Sequence, residues 1–154
     1  MNHFHRFLAA GFFLLFFPSF LFCSQTFSGA LSLGVSGADE SGYVIDAEKY
    51  LPWRWSCVVA VKGGHLHSQE TNEIFFGLRH FSDISHYGHF LTLGVTSFMW
   101  SDQESDLGYS VEFGGRFPVK DRFFVSISTS LDYLMVDFAE NVRATLSARF
   151  GCQI

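Results

Sequence analysis

The sequence predicts an all-β fold: an eight-stranded antiparallel up-and-down transmembrane β-barrel after an N-terminal signal peptide. Three observations carry this. Downstream of residue 25, apolar residues alternate with small polar ones over long runs, the period-two mark of a strand with unlike faces. The runs are long enough for spanning strands, which need about 9–11 residues against about five or six in an ordinary strand. The polar partners in the alternation are mostly Ser, Thr and Gly, and the 154-residue chain has only three lysines, whereas a water-facing sheet is rich in charge.

Residues 1–24 read as the signal peptide. Met1 to Arg6 form a short basic start, an apolar run follows from residue 7 to 17, and Pro18, Ser19 and Ser24 come after it. Gly11 and Pro18 break the run, which falls short of the roughly 20 apolar residues of a spanning helix. Residues 25–154 remain as one domain. That part has no stretch of about 18 apolar residues, so a membrane-embedded form of it has to be a closed barrel.

Strands are expected at 26–35, 43–49, 53–62, 73–81, 87–100, 107–118, 122–134 and 142–154. In the first, Phe27, Leu31, Leu33 and Val35 alternate with Ser28, Ala30, Ser32 and Gly34. The second is short and carries Asp46 and Glu48. The sixth sets Leu107, Tyr109, Val111, Phe113, Phe117 and Val119 against Gly108, Ser110, Glu112, Gly114 and Arg116. The last two repeat the scheme, with Val125, Ile127, Leu131, Leu146 and Phe150 against Ser126, Ser128, Asp132, Arg143 and Arg149. Turn-rich breaks separate the runs, among them Gly63-Gly64 and Lys120-Asp121.

Alternation alone leaves two barrels open. In a soluble secreted barrel the large apolar residues would face inward around an apolar ligand; in a membrane barrel they face lipid. The small polar set suits the tight interior of eight strands. Aromatic residues gather near strand ends, Tyr50, Trp53 and Trp55 at one edge and Trp100, Tyr109 and Tyr133 at the other, as in a membrane girdle. With the N-terminus in the periplasm, 36–42, 63–72, 101–106 and 135–141 become outer loops holding most of the acids. Residues 51–52, 82–86 and 120–121 become short periplasmic turns.

The formal charge of −5 argues against nucleic acid as a partner, and so many aromatic residues with 16% charged argue against disorder. Three cysteines make no disulfide framework. Cys57 and Cys152 fall on strands three steps apart at about 4.8 Å each, too far to bond, so both are expected as free thiols.

On this pattern the chain resembles the small outer-membrane β-barrel proteins of Gram-negative bacteria, the OmpA/OmpX-type class. The resemblance implies an outer-membrane location, assembly by the barrel assembly machinery, and outer-membrane lipid and lipopolysaccharide as surroundings. The charged residues expected inside are Glu112, Arg116, Arg122, Asp132, Arg143 and Arg149, and the resemblance implies that they form a salt-bridged plug. A satisfied structural network or a narrow channel are the two readings of such a set, with a structural or surface-interaction role for the protein.

A second, narrower resemblance is to the outer-membrane lipid A deacylases. Arg79-His80-Phe81-Ser82-Asp83 is similar to their His-x-Ser-Asn motif, which implies His80 as base and Ser82 as nucleophile of an acyl-ester hydrolase. Asp83 stands where that motif has Asn, and no acid lies between Asp83 and Asp102 to orient the histidine. His65-Leu66-His67 with Glu70 is an incomplete ligand set, so the segment reads as a solvated loop. No metal and no cofactor is expected.

Overall fold

The computed structural model describes residues 28–37, 41–66, 69–100, 105–134 and 142–154. The signal peptide at 1–24 and the boundary at 25 lie outside the described residues. Eight antiparallel strands run in sequence order: β1 (Gly29–Gly37), β2 (Ser41–Tyr50), β3 (Trp55–Leu66), β4 (Gln69–Phe81), β5 (Gly88–Trp100), β6 (Ser105–Lys120), β7 (Phe123–Leu134) and β8 (Val142–Gln153). Each pairs with its neighbours, and β1 pairs with β8, so the sheet closes on itself. Gly29 and Ile154 seal the seam by exchanging two backbone hydrogen bonds, at 3.0 and 2.9 Å. Closure leaves no unpaired edge, as a sheet surrounded by hydrocarbon requires.

The barrel is apolar outside and polar inside. Leu33, Phe113, Leu131, Leu146 and Phe150 are more than half exposed, while Ser128 and Arg149 are only 4% and 5% exposed. Among the described residues this is the reverse of the arrangement expected of a soluble barrel around an apolar ligand, because the interior is lined with charges.

The strands run further than the alternation alone suggested. β3 and β4 continue to Leu66 and Gln69, through the segment expected to be an outer loop. Gly63-Gly64 reads as a turn signal, yet Gly63 is a strand residue paired with Tyr43, whose ring covers the space a Cβ would fill. Glycine in a strand here marks a close approach and not a reversal. At the far mouth, away from the chain ends, residues 38–40, 67–68, 101–104 and 135–141 lie outside the described residues. At the near mouth the connections are 51–54, 82–87 and 121–122.

Each near-mouth turn holds one non-glycine residue with positive φ: Trp53 (74°), His86 (60°) and Asp121 (48°). β6 also carries a register shift between Pro118 and Lys120, where a proline without an N–H fits a bulge at the strand end.

Candidate functional site

The strands send side chains inward at alternate positions, and on β2, β3, β4, β6, β7 and β8 those positions carry the charges. Among the described residues, five acids (Asp46, Glu48, Glu73, Glu112, Asp132) meet five bases (Lys62, Arg79, Arg116, Arg143, Arg149) inside the barrel. Their formal charges cancel, as buried charges in a low-dielectric surrounding require.

The pairs form two layers. In the layer nearer the chain ends, Glu48 accepts hydrogen bonds from Ser56 Oγ, Arg79 Nη1 (3.2 Å) and Arg116 Nη2. Arg79 also donates from Nη2 to Glu112 (2.8 Å) and from Nε to Thr92 Oγ1 (2.9 Å). Glu112 further accepts from Arg149 and from Ser128 Oγ (2.7 Å), and Arg149 extends to Asp46 at 3.0 Å, where Ser32 Oγ also donates at 2.6 Å. In the far layer Arg143 joins Glu73 (2.5 Å) to Asp132 (2.9 Å). Asp132 also accepts from Ser110 Oγ at 2.5 Å and lies 3.8 Å from Lys62 Nζ. Between the layers is a cavity of about 10 Å³ lined by Asp46, Lys62, Phe75, Arg79, Glu112 and Arg149 among others, space for about one water.

Phenylalanine supplies the packing. Phe75, Phe81, Phe90, Phe98 and Phe124 point inward and are at most 3% exposed. Several rings lie against glycine backbone on a neighbouring strand, Phe124 on Gly151, Phe90 on Gly114, and Phe75 on Gly94. Cations lie over the rings: Arg79 sits 4.4 Å from the Phe90 centroid, Arg116 4.2 Å from Phe124 and 4.8 Å from Phe81, Arg143 5.2 Å from Phe98, and Lys62 5.8 Å from Phe75. A guanidinium on an aromatic face keeps part of the electrostatic stabilisation it loses with water. At Phe90 and Phe124 the interior repeats one combination: glycine backbone, ring, arginine, carboxylate.

The near mouth closes over this stack. Tyr50 Oη accepts from Arg116 Nη1 (3.3 Å) and Gln153 Nε2 (3.0 Å). The His86 ring stacks on Tyr50 at 4.0 Å, edges onto Phe81, and lies 3.3 Å from the Trp55 carbonyl through Nε2. Burial among these groups pushes the His86 imidazole below its ordinary value of 6.5. Tyr50, expected in the outer girdle, instead closes the mouth from within.

Five of the six charges expected inside are there: Glu112, Arg116, Asp132, Arg143 and Arg149. Arg122 is not. It occupies the β6–β7 turn and is exposed, because β7 begins one residue later, at Phe123. Sequence reasoning missed Asp46, Glu48, Lys62, Glu73 and Arg79. Their signal was present, since Asp46 and Glu48 alternate with Ile45 and Ala47 and share the inward parity of Val44.

His80 and Ser82 do not come together as base and nucleophile. The His80 ring lies against Trp55, at 4.7 Å, while Ser82 Oγ in the turn accepts a hydrogen bond from the His89 N–H at 3.0 Å. The side chains of His65, His67 and Glu70 lie outside the described residues. Cys57 and Cys152 are free thiols on β3 and β8, as their separation required.

No family model and no curated protein matches this chain. Solved structures do. The N-terminal β-barrel domain of Pseudomonas aeruginosa OprF matches with a TM-score of 0.66 at 11% identity, covering 84% of this chain and 100% of that one. Neisserial surface protein A matches at 0.57 and 14% identity, over 83% and 96% of the two chains. Ail, the attachment invasion locus protein of Yersinia pestis, matches at 0.56 and 13%, over 84% and 100%. At these identities the likeness is one of fold: the chain has the eight-stranded antiparallel barrel of known outer-membrane proteins.

Proposed function

We propose that this chain is an outer-membrane barrel whose interior is closed by ion pairs and whose role is structural or played out at its surface. The observation that carries this reading is the distribution of side chains, with ten charged groups paired inside a closed sheet and a band of leucine, valine, isoleucine and phenylalanine outside. Buried in water, that exterior would be an aggregation surface; in hydrocarbon it is the expected one. The two charged layers and the inward rings fill much of the described interior with side chains, which supports a plugged barrel over a pore. Export through the leader at 1–24, insertion by the barrel assembly machinery, and contact with outer-membrane lipid and lipopolysaccharide complete the proposal. Likeness to proteins named for the surface and for attachment fits a surface-interaction role.

Two measurements test it. The folded chain in detergent or lipid should run as a compact band on an unheated gel and shift on boiling, since its backbone hydrogen bonds close on themselves. In planar bilayers it should show no steady conductance. Recovery as a soluble periplasmic protein refutes the location; a stable open channel refutes the plug.

A further inference from the structure

Outside the barrel interior and the leader, every lysine and arginine of the chain belongs to the near mouth: Lys49, Arg54, Lys120 and Arg122. Two acids, Asp83 and Asp121, accompany them. The sequence segments that join β1 to β2, β3 to β4, β5 to β6 and β7 to β8 contain no lysine or arginine. The interior is neutral as a set, so among the described residues the exterior lysines and arginines lie at one end.

The near-mouth cations sit among apolar side chains that face outward. Arg54, exposed, lies between Trp53, 80% exposed, and Trp55, 44% exposed. Lys120 and Arg122, both exposed, flank the β6–β7 turn beside Phe117 (51%), Val119 (60%) and Phe123 (43%), with Phe123 stacked on Phe150. In the closed strand order the β2–β3 and β6–β7 turns stand half a circumference apart. The rim therefore presents two separate stations, each with an apolar anchor at interface depth and a guanidinium or ammonium able to reach past it.

We propose that these two stations bind the phosphate groups of anionic phospholipids in the leaflet that the near mouth crosses. The inference rests on the outer-membrane reading above and adds to it a ligand class and a location. Aromatic rings at the interface hold the depth of the barrel, and cations beside them select negative headgroups over zwitterionic ones. Asp83 partly offsets Arg54: hydrogen bonds from Ser85 hold its carboxyl below the usual carboxylate range, and the Arg54 charge contributes in the same direction. The β6–β7 station has two exposed cations, Lys120 and Arg122, where the β2–β3 side has the exposed Arg54 and the half-buried Lys49, so it should be the stronger of the two.

The test uses the full mature chain folded in bilayers of phosphatidylcholine containing spin-labelled phosphatidylglycerol or spin-labelled phosphatidylcholine as probe. Electron spin resonance reads the relative affinity of the motionally restricted lipid shell. The wild type should prefer phosphatidylglycerol by about threefold at low salt, and the preference should shrink as ionic strength rises. The variant Lys120→Gln/Arg122→Gln should lose most of it, Arg54→Gln a smaller share, and both should keep the heat-dependent gel shift that reports a folded barrel. Equal affinity for the two probes in the wild type, or a preference that survives all three substitutions, overturns the inference while leaving the membrane barrel intact. A chain that restricts no lipid and gives no folded band overturns both.

Discussion

Replacing Glu48 by Gln removes one negative charge from the place where two arginines converge. Glu48 is fully buried, and it is the carboxylate that Arg116 meets among the described residues; the other partners of Arg116 are the Tyr50 hydroxyl and the His86 carbonyl. Arg79 retains Glu112. The substitution is nearly isosteric, so packing against Ser56 survives and the loss is electrostatic. Leaving a buried charge without its counter-ion costs about 3–5 kcal/mol, and the neutral acceptors and the Phe81 and Phe124 faces around Arg116 place the expected value near ~3 kcal/mol. With a urea slope of about 2 kcal/mol/M, the unfolding midpoint should fall by roughly 1.5 M. Urea titration of the barrel in lipid vesicles, read by the unheated gel shift, measures it. Removing the orphaned charge as well, in Glu48→Gln/Arg116→Met, should recover part of the loss, giving a coupling of about 1–3 kcal/mol. A Glu48→Gln midpoint within about 0.3 M of wild type, or strictly additive effects in the cycle, would refute the claim that the interior is held as paired charges.

Other consequences follow from the same geometry. Gly151→Ala puts a methyl where the Phe124 ring lies, so it should cost about 1–3 kcal/mol, and Phe124→Leu in that background should restore part of it in the same titration. Because burial lowers the His86 pKa, the unfolded chain binds more protons than the folded one just below pH 6.5. This contribution to stability is full above 6.5 and declines as pH falls from there toward the folded pKa. His86→Asn, which does not titrate and tolerates the positive φ, should flatten that part of the pH profile, and an unchanged slope would assign the dependence elsewhere. Cys57 and Cys152 are three strand steps apart, at about 4.8 Å each, so reductant should leave the mobility of the folded monomer unchanged; a reductant-sensitive monomer band would contradict the strand order.

Much of the architecture was legible because period two is a strong signal when one face is greasy and the other small. The parity of Phe113, Ile127, Leu131 and Leu146 placed them outside, and all four are exposed. Legibility failed where local chemistry imitates another element. Asp46 and Glu48 made β2 look weak as a strand, since charges are poor strand formers, although their position inside the barrel is what makes β2 central to the ion-pair network. Gly63-Gly64 imitated a turn because the covering ring of Tyr43 is remote in sequence. Phe75, Phe90 and Phe124 share the inward parity with serines and arginines, and hydropathy alone gives no reason to seat a large ring there. The reason is three-dimensional: a glycine on the next strand makes the room and a cation lies over the ring, Lys62 for Phe75 and an arginine for Phe90 and Phe124. Arg122 shows the limit at a strand end, where one residue of displacement exchanges interior for solvent.

The central claim is that leucines and isoleucines of this sheet touch lipid while its charges face one another within. Methyl NMR of the folded chain in nanodiscs tests it without substitution, through nuclear Overhauser effects from lipid acyl chains. Leu33, Ile127, Leu131 and Leu146 should show them, and the buried Val44, Val58 and Ala60 should not. Contacts from lipid to the second set, with none to the first, would contradict the account.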